Sequence, residues 1–142
     1  MDHFKRLSHS VWDCKYHIIW IPKYRRKELY GNKRTIVVQT IKKWAGIKGV
    51  DIVAGKACSD HIHLCLSIPP KYSVANIVGL LKGKSASEVM SFGTKASRMV
   101  RGRRFWARGY CVSTVGLNEE TILEYIRNQE NEDRRQEDLG LE

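Results

Sequence analysis

The chain has 142 residues, 42% of them hydrophobic, with four Trp and six Tyr. This length suits one compact domain of roughly 100–200 residues, and it excludes a helicase, a polymerase or another large multidomain enzyme. Twenty-five Lys and Arg against fifteen Asp and Glu give a net charge of +10, which indicates a polyanionic partner. We therefore expect a single folded domain over residues 1–142, with its core at about 10–136.

The charge is unevenly distributed along the chain. Residues 1–50 carry 12 basic and 3 acidic side chains, residues 71–111 carry 9 and 1, and residues 117–142 carry 3 and 9. We expect a nucleic acid to lie against the two basic blocks, the alternative being that these charges only keep the surface solvated. The sequence has neither an 18-residue apolar run nor a signal peptide, so we expect a cytoplasmic protein without a membrane partner.

Four segments have the composition of strands, rich in β-branched and aromatic residues or alternating in size. They are residues 15–21, 50–54, 62–68 and 105–115. The second and third are separated by a short polar stretch, so they form a predicted hairpin. Pro22 ends the first strand because proline cannot donate to a sheet ladder.

Three further segments have helical signals. Residues 34–45 place apolar side chains three and four positions apart, Ser73 is a good N-cap for a second helix, and Asn118 is one for a third. Residues 133–142 are highly charged, and we expect them to fray. The order β-α-β-β-α-β-α predicts an α+β fold, a ferredoxin-like sheet with an appended C-terminal helix.

His61-Ile62-His63 is the sharpest local feature for chemistry. Alternate strand residues share a face, so the two imidazoles stand about 6.6 Å apart at the backbone and can share one metal ion. The alternative is that they serve cross-strand packing or are simply exposed. Cys65 lies on the same face but about 13 Å along the strand from His61, too far to join it on one ion.

A third metal ligand has to come from another element. The C-terminal helix offers Gln129, four residues after Tyr125 and so on the same helical face. The alternative is that this face is an apolar stripe that packs on the sheet, formed by Ile122, Tyr125, Ile126 and Gln129. From the residues alone, Tyr110, Tyr72 and Tyr24 are equally eligible nucleophiles.

Six motifs in a fixed order carry a family resemblance. They are residues 16–25 (YHIIWIPKYR), 60–64 (DHIHL), 67–73 (SIPPKYS), 81–85 (LKGKS), 105–110 (FWARGY) and 124–129 (EYIRNQ). Together they resemble the single-tyrosine HUH transposases of small bacterial and archaeal insertion sequences, over about residues 10–136. Several motifs in the right order are far more specific than any one of them.

The resemblance implies a role for each matching residue. His61 and His63 correspond to the two histidines of the HUH motif, Tyr125 to the nucleophile and Gln129 to the third metal ligand. It also implies Mg²⁺ or Mn²⁺ as cofactor, and single-stranded DNA with subterminal hairpins, cleaved through a 5′-phosphotyrosine. The family forms homodimers, in which Tyr125 can act in trans on the partner's histidines.

Basic side chains near these motifs are candidate contacts to DNA phosphates. They are Lys82, Lys84, Arg101, Arg103, Arg104 and Arg108, with Lys23, Arg25 and Arg26 as a second patch. For each one alone, the alternative is a solvated surface charge.

Two other functions remain open from the sequence. One is a domesticated single-tyrosine nuclease that processes hairpins without mobilising its own gene, and the other is a non-catalytic nucleic-acid-binding module of ferredoxin-like fold. Residues 79–85 (GLLKGKS) mimic a phosphate-binding P-loop, but three residues separate the glycines where the motif needs four. Nucleotide binding is therefore not expected.

Overall fold

A computed structural model describes residues 4–7, 9–92 and 104–138 of the chain. The strands are β1 (Lys5–Leu7), β2 (Ser10–Trp12), β3 (Lys15–Trp20), β4 (Asp51–Cys58), β5 (His61–Ser67) and β6 (Cys111–Ser113). The helices are α1 (Gly31–Ile47), α2 (Val74–Ser91) and α3 (Glu119–Asp138), with a short 3₁₀ turn, η1, at Lys23–Arg25. No helix in the described part of the chain is long and apolar enough to cross a membrane.

Four strands form an antiparallel sheet in the order β4-β5-β3-β6. This order and the two helical crossovers are those of a ferredoxin-like β-α-β-β-α-β unit, and α3 follows it, so the predicted fold class is confirmed. The β4–β5 hairpin is also confirmed, with Cys58 paired to His61 across its turn. The separate two-stranded sheet β1–β2 was not predicted, because three-residue strands are too short to show alternation.

The two faces of the sheet differ in what covers them. Ile18 and Trp20 of β3 and Leu64 of β5 belong to the main core, together with residues of α1 and α2 such as Ile41 and Leu81. Strand alternation turns the intervening side chains, among them the histidines of β3 and β5, to the opposite face. We call this second face the open face of the sheet.

Both predicted N-caps are confirmed. The Ser73 hydroxyl accepts a hydrogen bond from the backbone N–H of Asn76 at 3.0 Å. The Asn118 side-chain carbonyl accepts one from the N–H of Thr121 at 2.8 Å. Each cap satisfies a backbone donor that the first turn of a helix leaves unpaired.

The strand predicted over residues 105–115 is wrong over most of its length. Only Cys111–Ser113 pair with β3, and the chain before them is irregular. Phe105, Trp106 and Ala107 are buried one after another, whereas a strand with one covered face buries alternate residues. Gly109 then takes φ +80°, a left-handed conformation that lies outside extended strand geometry.

The prediction that residues 133–142 fray is also wrong as far as residue 138. Helix α3 extends to Asp138, and Asp133 is only 1% exposed. Residues 139–142 lie outside the described residues.

Trp106 fixes the irregular segment to α2. Its indole Nε1–H donates to the hydroxyl of Ser85 at 3.0 Å, and that hydroxyl donates to the carbonyl of Leu81 at 2.6 Å. Ser85 is completely buried, so neither polar group can turn to water instead.

Replacing Ser85 by alanine should lower the free energy of unfolding by about 1–3 kcal/mol, because the buried indole N–H loses its acceptor. Ser87→Ala is the matched control, since Ser87 is exposed on the same helix. Urea unfolding followed by Trp fluorescence measures both variants. Equal stability of the two variants would show that the Ser85 hydrogen bond contributes nothing.

Candidate active site

One row of side chains crosses the open face from edge to edge. Ile19 of β3 pairs with Cys111 of β6 on one side and with His63 of β5 on the other, and His63 pairs with Lys56 of β4. Directly paired residues of antiparallel strands share a face. Two strand spacings separate the backbones of Cys111 and His63, about 10 Å.

Asp60 orients the first predicted metal ligand, His61. Its Oδ1 lies 2.9 Å from His61 Nδ1, so a neutral ring that donates this proton keeps the Nε2 lone pair for a ligand. Burial raises the pKa of Asp60, but hydrogen bonds from His61 and Arg25 outweigh it and hold that pKa below its ordinary value. Asp60 is therefore a stable carboxylate partner for His61.

The second predicted ligand, His63, has another imidazole beside it. The ring of His17 on β3 lies 5.8 Å from that of His63, centroid to centroid. Burial lowers the pKa of His63, and the neighbouring His17 and His61 lower it further, which favours the neutral form. Sequence analysis missed His17, although the alternation used for His61 and His63 also turns His17 to the open face.

A cavity of about 210 Å³ opens beside these imidazoles. Its lining includes His17, His63, Cys65 and Lys56. The Nδ1 atom of His17 is buried and has no hydrogen-bond partner in the described part of the chain. Lys56, which sequence analysis also missed, adds an exposed positive charge opposite His63.

Helix α3 packs against η1 and against residues beside β3. Ile126 is buried with Ile21 and Ala107 in a small second core, and Ile122 and Tyr125 pack against it. The apolar stripe considered for this helix is thus present at these three positions of α3. Gln129, one turn beyond Tyr125, is half-buried.

Tyr125 carries a buried hydroxyl. Its oxygen has no hydrogen-bond partner among the described residues. Burial raises the pKa of Tyr125 far above its ordinary value, and the nearby Cys111 and Asp133 raise it further. Tyr125 is thus near Cys111 of β6, and its hydroxyl is protonated in this state.

Asp133 anchors α3 to the turn η1. Its Oδ2 accepts a hydrogen bond from the backbone N–H of Tyr24 at 2.9 Å, and its Oδ1 lies 3.8 Å from the ammonium of Lys23. Both charged side chains are almost fully buried, at 0% and 7% exposure. Tyr24 takes φ +60°, which costs a residue other than glycine about 1–2 kcal/mol and which the contact to Asp133 helps to hold.

The nine predicted DNA contacts differ in their surroundings. Lys23 is buried against Asp133, and the Lys82 ammonium donates to the carbonyls of Ala107 and Gly109 at 2.9 and 2.8 Å. Burial lowers the pKa of Lys82 to about 8, against a smaller raising effect of Asp133. The ammonium groups of Lys23 and Lys82 thus both bind within the chain, and their contacts to DNA stay predictions.

A second group lies nearer the surface. Arg26 is exposed, with its guanidinium carbon 5.3 Å from the centroid of the Tyr24 ring. Lys84 is also exposed, with its ammonium 4.4 Å from the centroid of a Trp44 ring. Arg108 is exposed and Arg104 is half-buried. Arg25 is engaged in ion pairs described below. Arg101 and Arg103 lie outside the described residues.

The donor set on the open face limits how a metal ion is held. In the described ranges, no three His, Cys, Asp or Glu side chains gather closely enough to hold one. Two imidazoles can provide nitrogen ligands. The His61 ring is oriented by its hydrogen bond to Asp60, and the lowered pKa of His63 favours its neutral form. Gln129 on α3, the predicted third ligand, is half-buried.

Replacing Asp133 by alanine should lower the free energy of unfolding by about 3 kcal/mol, because it leaves the buried Lys23 ammonium unpaired. The double variant Lys23→Met/Asp133→Ala should lose less than this single variant, since it removes both charges. Urea unfolding with helix content followed by circular dichroism measures the set. A loss below about 0.5 kcal/mol, typical of an exposed site, would contradict the anchoring role.

Comparisons with known proteins identify the family. The model of the family described as "Transposase IS200 like" matches residues 10–129. The chain is 44% identical over 137 residues to the transposase for insertion sequence element IS200 of Salmonella typhimurium, which covers 96% of this chain and 90% of that one.

Two solved structures have a similar fold. A proposed transposase from Deinococcus radiodurans superimposes with a TM-score of 0.75 at 30% identity, covering 88% of this chain and 97% of that one. A REP-associated tyrosine transposase bound to a REP hairpin reaches 0.56 at 11% identity, covering 84% and 67%. Sequence and structure together show that this chain belongs to the IS200-like transposase family.

Proposed function

We propose that this transposase cleaves and rejoins single-stranded DNA at the ends of an insertion sequence, through a covalent 5′-phosphotyrosine on Tyr125. The observation that carries the proposal is the placement of α3. Tyr125 packs beside Ile126 against Ile21, which directly follows β3, the strand paired with the β5 strand that carries His61 and His63. This packing supports a site that combines a tyrosine nucleophile with two metal ligands.

We further propose that His61, His63 and Gln129 hold Mg²⁺ or Mn²⁺. The fit is supported by the hydrogen bond from Asp60, which leaves one nitrogen of His61 available, and by the lowered pKa of His63. Imidazole and amide ligands are neutral, and such a mixed nitrogen and oxygen site accepts these ions. When bound, the metal would polarise the scissile phosphate as a Lewis acid and orient it.

The chain's own contribution to the reaction is the nucleophile and its surroundings. The Tyr125 oxygen forms a bond to phosphorus, the bond from phosphorus to the 3′ oxygen breaks, and the phenolic proton finally resides on the released 3′-OH. One phosphate ester replaces another, so rejoining is the same step in reverse. Burial keeps the hydroxyl protonated in this state, so attack on phosphorus requires that the phenolic proton be removed and that the scissile phosphate reach the Tyr125 oxygen.

Exposed basic side chains are proposed to bind the DNA backbone. Lys56 lies on the open face opposite His63, and Arg26, Lys84 and Arg108 are exposed elsewhere. The fold neighbour bound to a REP hairpin supports hairpin DNA as the substrate class. A homodimer, with Tyr125 acting on the partner's histidines, stays a prediction from the family resemblance.

Tyr125→Phe should abolish the covalent protein–DNA complex, because phenylalanine has no oxygen to attack phosphorus. His61→Ala and His63→Ala should abolish it as well, through loss of the metal. The assay incubates the protein with labelled single-stranded DNA from the flanks of its own gene, with and without Mg²⁺ or Mn²⁺, and then runs a denaturing gel.

Tyr110→Phe is the matched control, since Tyr110 is a half-buried tyrosine near β6, and it should keep the covalent band. The Tyr125→Phe variant should still shift hairpin DNA on a native gel. A covalent band retained in Tyr125→Phe would overturn the mechanism. DNA binding without any covalent band in the wild type would favour the non-catalytic binding module.

A further inference from the structure

We propose that Arg25 is a positioning residue that couples the orientation of His61 to the docking of α3, through Asp60 and Glu130. The inference rests on the proposed function, which makes His61 a metal ligand and Tyr125 the nucleophile. It concerns how the β4–β5 turn and α3, which are far apart in the sequence, keep fixed positions relative to each other. Arg25 itself does not touch the reacting atoms.

A continuous chain of polar contacts joins the two sides of the site. Asp60 uses one oxygen for His61 Nδ1 at 2.9 Å and the other for Arg25 Nε at 3.2 Å. Arg25 Nη1 then donates to Oε2 of Glu130 on α3 at 3.3 Å. The remaining oxygen of Glu130 accepts from Arg134 at 2.9 Å. Among the described residues, Arg25 thus joins the β4–β5 turn to α3 in this series of contacts.

The backbone conformation at Arg25 is uncommon and is held by a contact to α3. Tyr24 and Arg25 are consecutive residues with φ +60° and +55°, a conformation uncommon for residues other than glycine. Asp133 of α3 accepts the Tyr24 N–H and so holds this conformation in place. The same helix therefore sets the backbone of η1 and binds the side chain that η1 presents.

Arginine suits this bridge for a geometric reason. Its planar guanidinium offers donors in a fixed fork, so the two carboxylates it joins are held at defined positions relative to each other. A lysine at this position keeps the charge, but its ammonium is a single point on a flexible stem. Arg25→Lys therefore separates loss of geometry from loss of charge.

Coupling through such a bridge acts in both directions. If α3 undocks, Arg25 loses Glu130 and Asp60 is held less firmly, so the His61 ring is less well oriented for a ligand. Conversely, a ligand that fixes His61 should make α3 open less often. A substitution of Arg25 is therefore predicted to change both the orientation of the His61 ring and the docking of α3.

The test compares Arg25→Lys and Glu130→Gln with two controls on the exposed side of α3, Arg127→Lys and Glu124→Gln. Hydrogen exchange of the backbone amides of residues 122–130 is measured in metal-free protein, and Mn²⁺ affinity is measured by electron paramagnetic resonance. Long-range ¹H–¹⁵N NMR of the His61 ring reports whether Nδ1 still carries the proton that it donates in the hydrogen bond to Asp60.

We expect Arg25→Lys and Glu130→Gln each to speed amide exchange about three- to fivefold, as for a partly exposed ion pair. Each should weaken Mn²⁺ binding by up to about tenfold, the size seen for supporting contacts around a metal ligand. The double variant should be no worse than the single variants, because both break one bridge. The two controls should change neither quantity.

Unchanged amide exchange and unchanged Mn²⁺ affinity in Arg25→Lys would overturn the inference, and so would equal effects in the controls. The covalent-complex assay separates this failure from failure of the proposed function. A wild-type Tyr125 adduct with no effect of Arg25→Lys rejects the bridge alone. If Arg25→Lys speeds amide exchange and alters the His61 ring but the wild type forms no adduct, the proposed cleavage mechanism is rejected. The coupling between His61 and α3 is then retained.

Discussion

The site depends on the docking of α3, and that docking depends on a buried carboxylate. Asp133 accepts the N–H of Tyr24 and pairs with the buried Lys23, and so it fixes the helix against the turn that follows β3. A buried charge is costly unless its partners are in place, so helix and turn are stable only together. Two turns earlier in α3, Ile126 adds apolar contact to Ile21, and Tyr125 packs beside it.

The two faces of the sheet carry different kinds of side chain. Ile18, Trp20 and Leu64 face α1 and α2 in the main core, and that packing needs no polar group at the site. The opposite face carries the imidazoles and a lysine, and the buried hydroxyl of Tyr125, on α3, has no hydrogen-bond partner in the described part of the chain. An unpaired buried hydroxyl is unfavourable for stability, and its presence is consistent with retention for reactivity.

Local patterns in the sequence predicted the elements well where one physical cause dominates. Alternation at His61 and His63 and the caps at Ser73 and Asn118 depend on neighbours within a few residues. The errors came from contacts over long sequence distances. Asp133 was assigned to a fraying tail because its neighbours are charged, but its partner Tyr24 lies 109 residues away. Residues 105–107 resemble a strand in composition, yet they are buried in succession, and no local pattern reveals that.

The central claim, that Tyr125 is the nucleophile, is tested most directly by locating the DNA adduct on the chain. The trapped complex would be digested with nuclease and trypsin, and the nucleotide-bearing peptide sequenced by tandem mass spectrometry. Cleavage after Arg108 and Arg127 gives one peptide that contains both Tyr110 and Tyr125, so its fragment ions discriminate between them. The account predicts the nucleotide on Tyr125, and an adduct on Tyr110, Tyr72 or Tyr24 would contradict it.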